Sequence, residues 1–184
     1  MSNRILNSED SFLLVIDIQE KFMPVVHNAD ELIHNTGIMI QAAYELNIPI
    51  VVSEQFPRGL GSTAEHLKNL LRPETRIFEK TAFSCMGDLR LTNYIKSLKR
   101  HQVIVTGLEA HVCVNQTVHH LLESGYEPHI IRDAITSRNP NNKSTTIRKM
   151  VRSGAVLSCT EMALFEMMRG STHPAFRSVQ KLIK

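Results

Sequence analysis

Short apolar runs alternate with longer segments of helical periodicity, and this alternation limits the possible fold more than any other feature of the chain. The first run, residues 12–16, is apolar at every position, as expected of a strand buried on both faces. Similar runs lie at 50–52, 76–78, 103–105, 129–131 and 155–157. Between them, apolar residues recur at three- and four-residue intervals, as at Leu91, Tyr94, Ile95 and Leu98. The pattern predicts a three-layer α/β/α fold with a six-stranded, mostly parallel, doubly wound sheet.

The chain has 184 residues, which fits one domain, and no Gly/Ser-rich linker or internal repeat divides it. We expect a single domain over 1–184, with residues 1–10 as an N-terminal extension and 174–184 as a helical tail. The tail has an apolar stripe that a domain of this size would leave partly uncovered, which predicts a homo-oligomer, a dimer or a multiple of one. The stripe consists of Phe176, Val179, Leu182 and Ile183.

Composition argues against several classes of protein. The net charge is +3 with scattered basic residues, no Trp and three Tyr, so we expect no nucleic-acid partner. No run approaches the roughly 20 apolar residues of a membrane span, and the first ten residues lack the apolar core of a signal peptide. Three cysteines without a C-x-x-C pair indicate reduced thiols and a cytoplasmic location.

Reactive residues follow the predicted strands at the edge where open parallel sheets bind ligands. Asp17 follows the first strand, Lys80 the third, and Cys113 the Gly-containing turn after the fourth. We expect Cys113 at the start of a helix, where free N–H groups and the helix dipole lower a thiol pKa and can hold an oxyanion. The alternative, a small buried apolar residue, stays open for Cys113 and is favoured for Cys85 and Cys159.

Two competing motifs are weak, and we therefore expect neither a cofactor nor a metal. Residues 59–64 match G-x-G-x-x-A, but four residues separate them from the second strand, whereas a dinucleotide fingerprint follows its strand directly. We interpret them as a tight turn with Ser62 or Thr63 capping the next helix. The histidines around His111 and His119 form no zinc-ligand pattern.

Three segments together resemble isochorismatase-like cysteine hydrolases. Asp17-Ile18-Gln19 is similar to the D-x-Q opening of that family, Lys80 to its lysine after the third strand, and residues 107–114 to the G-x-x-x-x-x-C-V segment. Residues 54–61 and the C-terminal 176–184 are similar to the branch of isochorismatase-domain-containing proteins. The stretch after the second strand departs from the nicotinamidase branch, which places metal ligands there.

The resemblance implies a catalytic triad of Asp17, Lys80 and Cys113. It also implies an oxyanion hole from the N–H groups of Glu109 and Cys113, with a cis peptide bond between Leu108 and Glu109. We predict hydrolysis of an amide- or carbamoyl-type C–N bond in a small molecule, through a Cys113 thiolate and a thioester. The expected substrate pocket comprises Gln19, Gln55, Phe56 and Phe83. The alternatives are a catalytically silent interaction module, a vinyl-ether or ester hydrolase, and a thiol-redox role involving Cys85.

Overall fold

The computed structural model describes residues 4–184. Six strands form one sheet in the order β3-β2-β1-β4-β5-β6, and every pairing is parallel. They are β1 (Ser11–Ile16), β2 (Ile50–Gln55), β3 (Arg76–Lys80), β4 (Gln102–Gly107), β5 (Glu127–Ile135) and β6 (Val156–Ser158). The predicted fold class is therefore confirmed.

Helices cover both faces of this sheet. They are α1 (Ala29–Glu45), α2 (Pro57–Leu60), α3 (Glu65–Lys68), α4 (Leu89–Ser97), α5 (Asn115–Glu123), α6 (Pro140–Arg152), α7 (Thr160–Met168) and α8 (Phe176–Leu182). Side chains alternate along β1, so that Leu13 and Val15 enter the core beneath α1, α7 and α8. Phe12 and Leu14 enter the second core, beneath α4, α5 and α6. Both faces are buried, which explains why the strand is apolar at every position.

The strand order reverses between β1 and β4, and these two strands meet very closely at their carboxyl ends. Gly107 has φ +131°, and a Cβ there would overlap the backbone carbonyl of Ile16. Only glycine lets β4 end against β1 in this way. The reversal of strand order creates the crevice in which an open α/β sheet binds ligands.

The tail stripe is covered only in part, as predicted. Val179 is completely buried, whereas Phe176, Leu182 and Ile183 are partly buried against the core that includes α1. The homo-oligomer remains a prediction. No helix within residues 4–184 has the length and apolar character needed to cross a membrane.

Candidate active site

Asp17 is the first residue after β1, and the chain turns sharply there. Its φ is +53°, a left-handed conformation that aspartate tolerates better than most residues. The side chain is buried, and each carboxylate oxygen has its own donor. The Ser53 hydroxyl donates to Oδ1 at 2.7 Å, and the Lys80 ammonium donates to Oδ2 at 2.6 Å.

Lys80 ends β3, and its ammonium group is enclosed by acceptors. Besides Asp17, it contacts Oε1 of Gln55 at 2.8 Å and the carbonyl oxygens of Phe83 at 3.0 Å and Ala82 at 3.2 Å. Burial alone would lower the pKa of Lys80, but the Asp17 carboxylate and the nearby cysteines outweigh it and raise that pKa above its usual value. Lys80 therefore stays charged and compensates the buried carboxylate.

Cys113 lies near the start of the helical segment that continues into α5, as expected, but the first turn of this segment is not α-helical. It lies within a π-helical turn, Ala110–Val114, and regular helix starts only at Asn115. The expected lowering of its pKa is wrong. Burial raises the pKa of the thiol, and the charge of Asp17 raises it further, whereas Lys80 opposes them only in part. Cys113 is accordingly a protonated thiol at neutral pH, beside a carboxylate that can accept its proton.

The turn between β4 and Cys113 contains a backbone N–H without a backbone partner. The Leu108–Glu109 peptide bond is cis, at the position that the resemblance implied. The flanking N–H groups have partners, since Leu108 donates to the Ile16 carbonyl at 2.9 Å and Ala110 to the Thr136 carbonyl at 2.7 Å. The N–H of Glu109 has no such backbone partner within residues 4–184. It is thus an unpaired donor within a buried turn.

Gln19 is fully buried beneath the predicted pocket and does not line it, which corrects our expectation. Its Nε2 donates to the carbonyl oxygens of Gln55 at 3.0 Å and Gly61 at 2.6 Å, and its Oε1 accepts from the Gln55 N–H at 2.8 Å. Gln19 therefore fixes the end of β2. The side chain of Gln55 in turn accepts from Lys80 and donates to the Thr81 carbonyl at 2.9 Å. Both glutamines thus have structural partners.

Phe56 and Phe83 are the two exposed aromatic side chains of the predicted pocket, at 52% and 53% exposure. Phe56 has a left-handed backbone, with φ +39°, and its ring lies so close to Gly59 that a Cβ there would overlap it. A groove of about 600 Å³ runs beside Phe56 along β3 and is bordered by Lys80, whereas Phe83, Asp17 and Cys113 do not line it. Phe56 is therefore available to a ligand in this groove, and the exposed ring of Phe83 lies outside it.

The family model for the isochorismatase domain matches residues 11–162. The chain belongs to the isochorismatase family. Isochorismatase domain-containing protein 2 of Danio rerio is 37% identical to this chain, and the match covers 97% of this chain and 89% of the relative. Isochorismatase family protein 1B of Dictyostelium discoideum is 36% identical, and the match covers 96% of this chain and 87% of the relative. The solved structure of the MAR1 ribonuclease from Caenorhabditis elegans has a TM-score of 0.93 and 41% identity, and the match covers 97% of this chain and 92% of that structure's chain.

This isochorismatase-family site includes Ser53, which the sequence did not reveal, and Cys85, which was expected only as a buried residue or in a thiol-redox role. Ser53 donates to Asp17, and the buried thiol of Cys85 lies 3.4 Å from the Ser53 hydroxyl oxygen. Burial, and then the charge of Asp17, raise the pKa of Cys85 to about 11. Ser53 directly follows the apolar residues Ile50–Val52 of β2, and this position near the carboxyl end of the strand was a usable signal. Cys159, predicted to be buried, is partly exposed at the start of α7.

The loop after β2 is organised around a buried carboxylate. Glu54 accepts from the Thr63 N–H and hydroxyl, both at 2.7 Å. Thr63 therefore pins the loop to β2, and neither it nor Ser62 caps α3, contrary to our prediction. Within residues 4–184, no group of three or more His, Cys, Asp or Glu side chains is arranged to hold a metal ion.

Proposed function

We propose that this family member is a cysteine hydrolase that cleaves an amide- or carbamoyl-type C–N bond in a small molecule. One observation carries the proposal. The carboxylate of Asp17 is bonded to Lys80, and both charges act on the buried thiol of Cys113 in the crevice of the sheet. A protonated nucleophile beside a charge-compensated base is the arrangement that general-base activation requires.

In the first half-reaction, the sulfur of Cys113 attacks the substrate carbonyl carbon while Asp17 takes the thiol proton. The carbonyl π electrons move to oxygen, and the resulting oxyanion accepts hydrogen bonds from the N–H groups of Glu109 and Cys113. Collapse of the tetrahedral intermediate breaks the C–N bond, and Asp17 returns the proton to the departing amine or ammonia. The product is a thioester on Cys113.

In the second half-reaction, water attacks the thioester carbonyl and Asp17 accepts its proton. The C–S bond breaks, the acid product leaves, and the proton returns to the Cys113 sulfur. Lys80 keeps its charge throughout and stabilises the ionised form of Asp17. The exposed rings of Phe56 and Phe83 favour a substrate with an apolar portion beside its carbonyl group.

A second candidate is RNA cleavage, because the C. elegans relative is titled a ribonuclease. The groove along β3 contains Phe56, Arg58 and Arg90, and such aromatic and cationic groups can stack bases and contact phosphates. The same groove holds the acidic Glu79 and Asp88, which oppose a polyanion. We therefore favour a small substrate, together with the cytoplasmic location and homo-oligomer that the sequence predicts.

A screen for ammonia release over small amides, ureides and carbamoyl compounds tests the proposal. The wild type and a Cys159→Ala control should turn over the same compound, while Cys113→Ala should lose about 1,000-fold or more. A labelled single-stranded RNA in the same panel tests the second candidate. Equal activity of Cys113→Ala would refute the cysteine mechanism. If iodoacetamide leaves Cys113 unmodified under native conditions, the site is closed and a silent interaction module is favoured.

A further inference from the structure

The turn that carries the proposed oxyanion donors is braced by the loop after β5. Ala110 donates its N–H to the Thr136 carbonyl at 2.7 Å, and Nδ1 of His111 lies 3.0 Å from the Ser137 hydroxyl oxygen. A third contact involves the side chain of Glu109. The brace therefore joins three consecutive residues of the turn to three of the loop.

The carboxylate of Glu109 is the buried part of this brace. Its Oε1 accepts from Nε of Arg138 at 2.9 Å and from the backbone N–H of Arg138 at 3.2 Å. The Glu109 side chain is only 7% exposed, whereas that of Arg138 is 61% exposed. A buried carboxylate is costly without a partner, so Arg138 determines where this side chain lies.

Two groups of Glu109 next to its unpaired N–H are held in place, the carbonyl group and the side chain. Its carbonyl oxygen accepts from Val112 at 3.0 Å and from Val114 at 3.3 Å, and its side chain is held by Arg138. The pairing also matters for charge, because an uncompensated carboxylate beside a developing oxyanion would repel it.

We infer that the Glu109–Arg138 ion pair is a positioning device that directs the Glu109 N–H toward the acyl oxygen and neutralises the carboxylate beside it. Neither side chain touches the reacting atoms in this account. The inference rests on the proposed acyl-transfer function. It predicts that disruption of the pair slows reactions that build an oxyanion more than other reactions of the same thiol.

Two reagents that modify Cys113 distinguish a reaction that builds an oxyanion from one that does not. With p-nitrophenyl acetate, the sulfur attacks the carbonyl carbon, an oxyanion forms and collapses, p-nitrophenolate leaves, and the thiol proton passes to Asp17. With iodoacetamide, the sulfur attacks the CH₂ carbon as iodide leaves, and no tetrahedral oxyanion forms. Both adducts are quantified at Cys113 by mass spectrometry, with Cys113→Ala as the background.

Arg138→Ala should slow acylation about 10-fold, a part of the effect of losing a whole oxyanion donor, while alkylation changes less than about 2-fold. Arg138→Lys should recover part of the loss. The matched control is Arg148→Ala, an exposed arginine of α6 that contacts Thr145 in its own helix. Since Arg138→Ala leaves a buried charge and can impair folding, Glu109→Gln tests the same pair with shape and backbone N–H retained.

Equal losses of acylation and alkylation in Glu109→Gln, or no loss in either, would overturn the positioning role. Failure of the proposed function has a different signature. The wild type would then acylate no faster, relative to its alkylation, than a cysteine in an unstructured peptide. If the wild type prefers acylation over alkylation and both Arg138→Ala and Glu109→Gln keep that preference, the ion-pair inference is refuted and the proposed function is not.

Discussion

Each end of the sheet contains a buried polar cluster, but the hydrogen bonds of the two clusters are arranged differently. At the carboxyl end, Ser53 and Lys80 converge on one carboxylate, Asp17, with a thiol beside it. At the amino end, Gln102 bridges β4 to the N-terminal segment. Its Oε1 accepts from the Asn7 N–H at 2.7 Å, and its Nε2 donates to Oε1 of Glu127 at 2.8 Å.

In the amino-end cluster, the polar side chains form hydrogen bonds with one another and with backbone atoms. Gln102 also donates to the Ile5 carbonyl, and Ser11 donates to Gln102 at 3.2 Å. The buried His129 reaches Glu127 at 3.0 Å. Burial would raise the pKa of Glu127, but the hydrogen bonds that it accepts from His129 and Gln102 outweigh burial and lower that pKa. This cluster anchors the extension to the sheet, whereas the carboxyl-end cluster concentrates charge beside a group that can react.

The largest expected effect on stability comes from the carboxyl end. Lys80→Met leaves the Asp17 carboxylate buried without its cation, which should cost about 3–5 kcal/mol in the free energy of unfolding. Turnover should also fall, because Lys80 lowers the pKa of the Cys113 thiol. Urea denaturation measures the first effect and the ammonia assay the second.

The matched control for this substitution is the double variant Asp17→Asn with Lys80→Met, which removes both charges. It should unfold at higher urea than Lys80→Met alone, since residues in contact are not additive. A loss below about 1 kcal/mol in Lys80→Met, the scale of an exposed ion pair, would contradict the buried-pair account.

A smaller effect is expected at the amino end. Gln102→Leu keeps a similar volume but leaves polar partners such as the Asn7 N–H and Glu127 unsatisfied, which should cost about 1–3 kcal/mol. The rate of Cys113 alkylation per folded molecule should not change, because none of these groups reaches the site. A slowed alkylation would mean that the two clusters are coupled through β4.

The sequence predicted the sheet well because its central strands β1, β2 and β4 are buried on both faces, so that runs such as residues 12–16 are apolar at every position. The same logic brought Asp17, Lys80 and Cys113 to one edge, since parallel strands share their carboxyl ends. It did not reveal the position of Gln19, whose partners lie in β2 and the following loop. These bonds depend on how the chain packs, which no local pattern records.

The sign of the Cys113 pKa shift also escaped the sequence. The Gly-containing turn suggested a helix start and a lowered pKa, but that inference counts only nearby dipoles and Lys80. Burial and the opposing charge of Asp17 are set by the tertiary structure, and they outweigh the lysine. The Glu109–Arg138 pair was missed for a similar reason, because its partners come from different loops.

The central claim is that Asp17 is the base for Cys113, and Asp17→Asn tests it most directly. Turnover should fall about 100-fold or more, as expected when a general base is lost. Because the charge of Asp17 raises the pKa of the Cys113 thiol, its removal should lower that pKa. The pH profile of iodoacetamide alkylation at Cys113 should therefore shift to lower pH while turnover is lost. Turnover within a few-fold of the wild type, with an unmoved alkylation profile, would contradict the account.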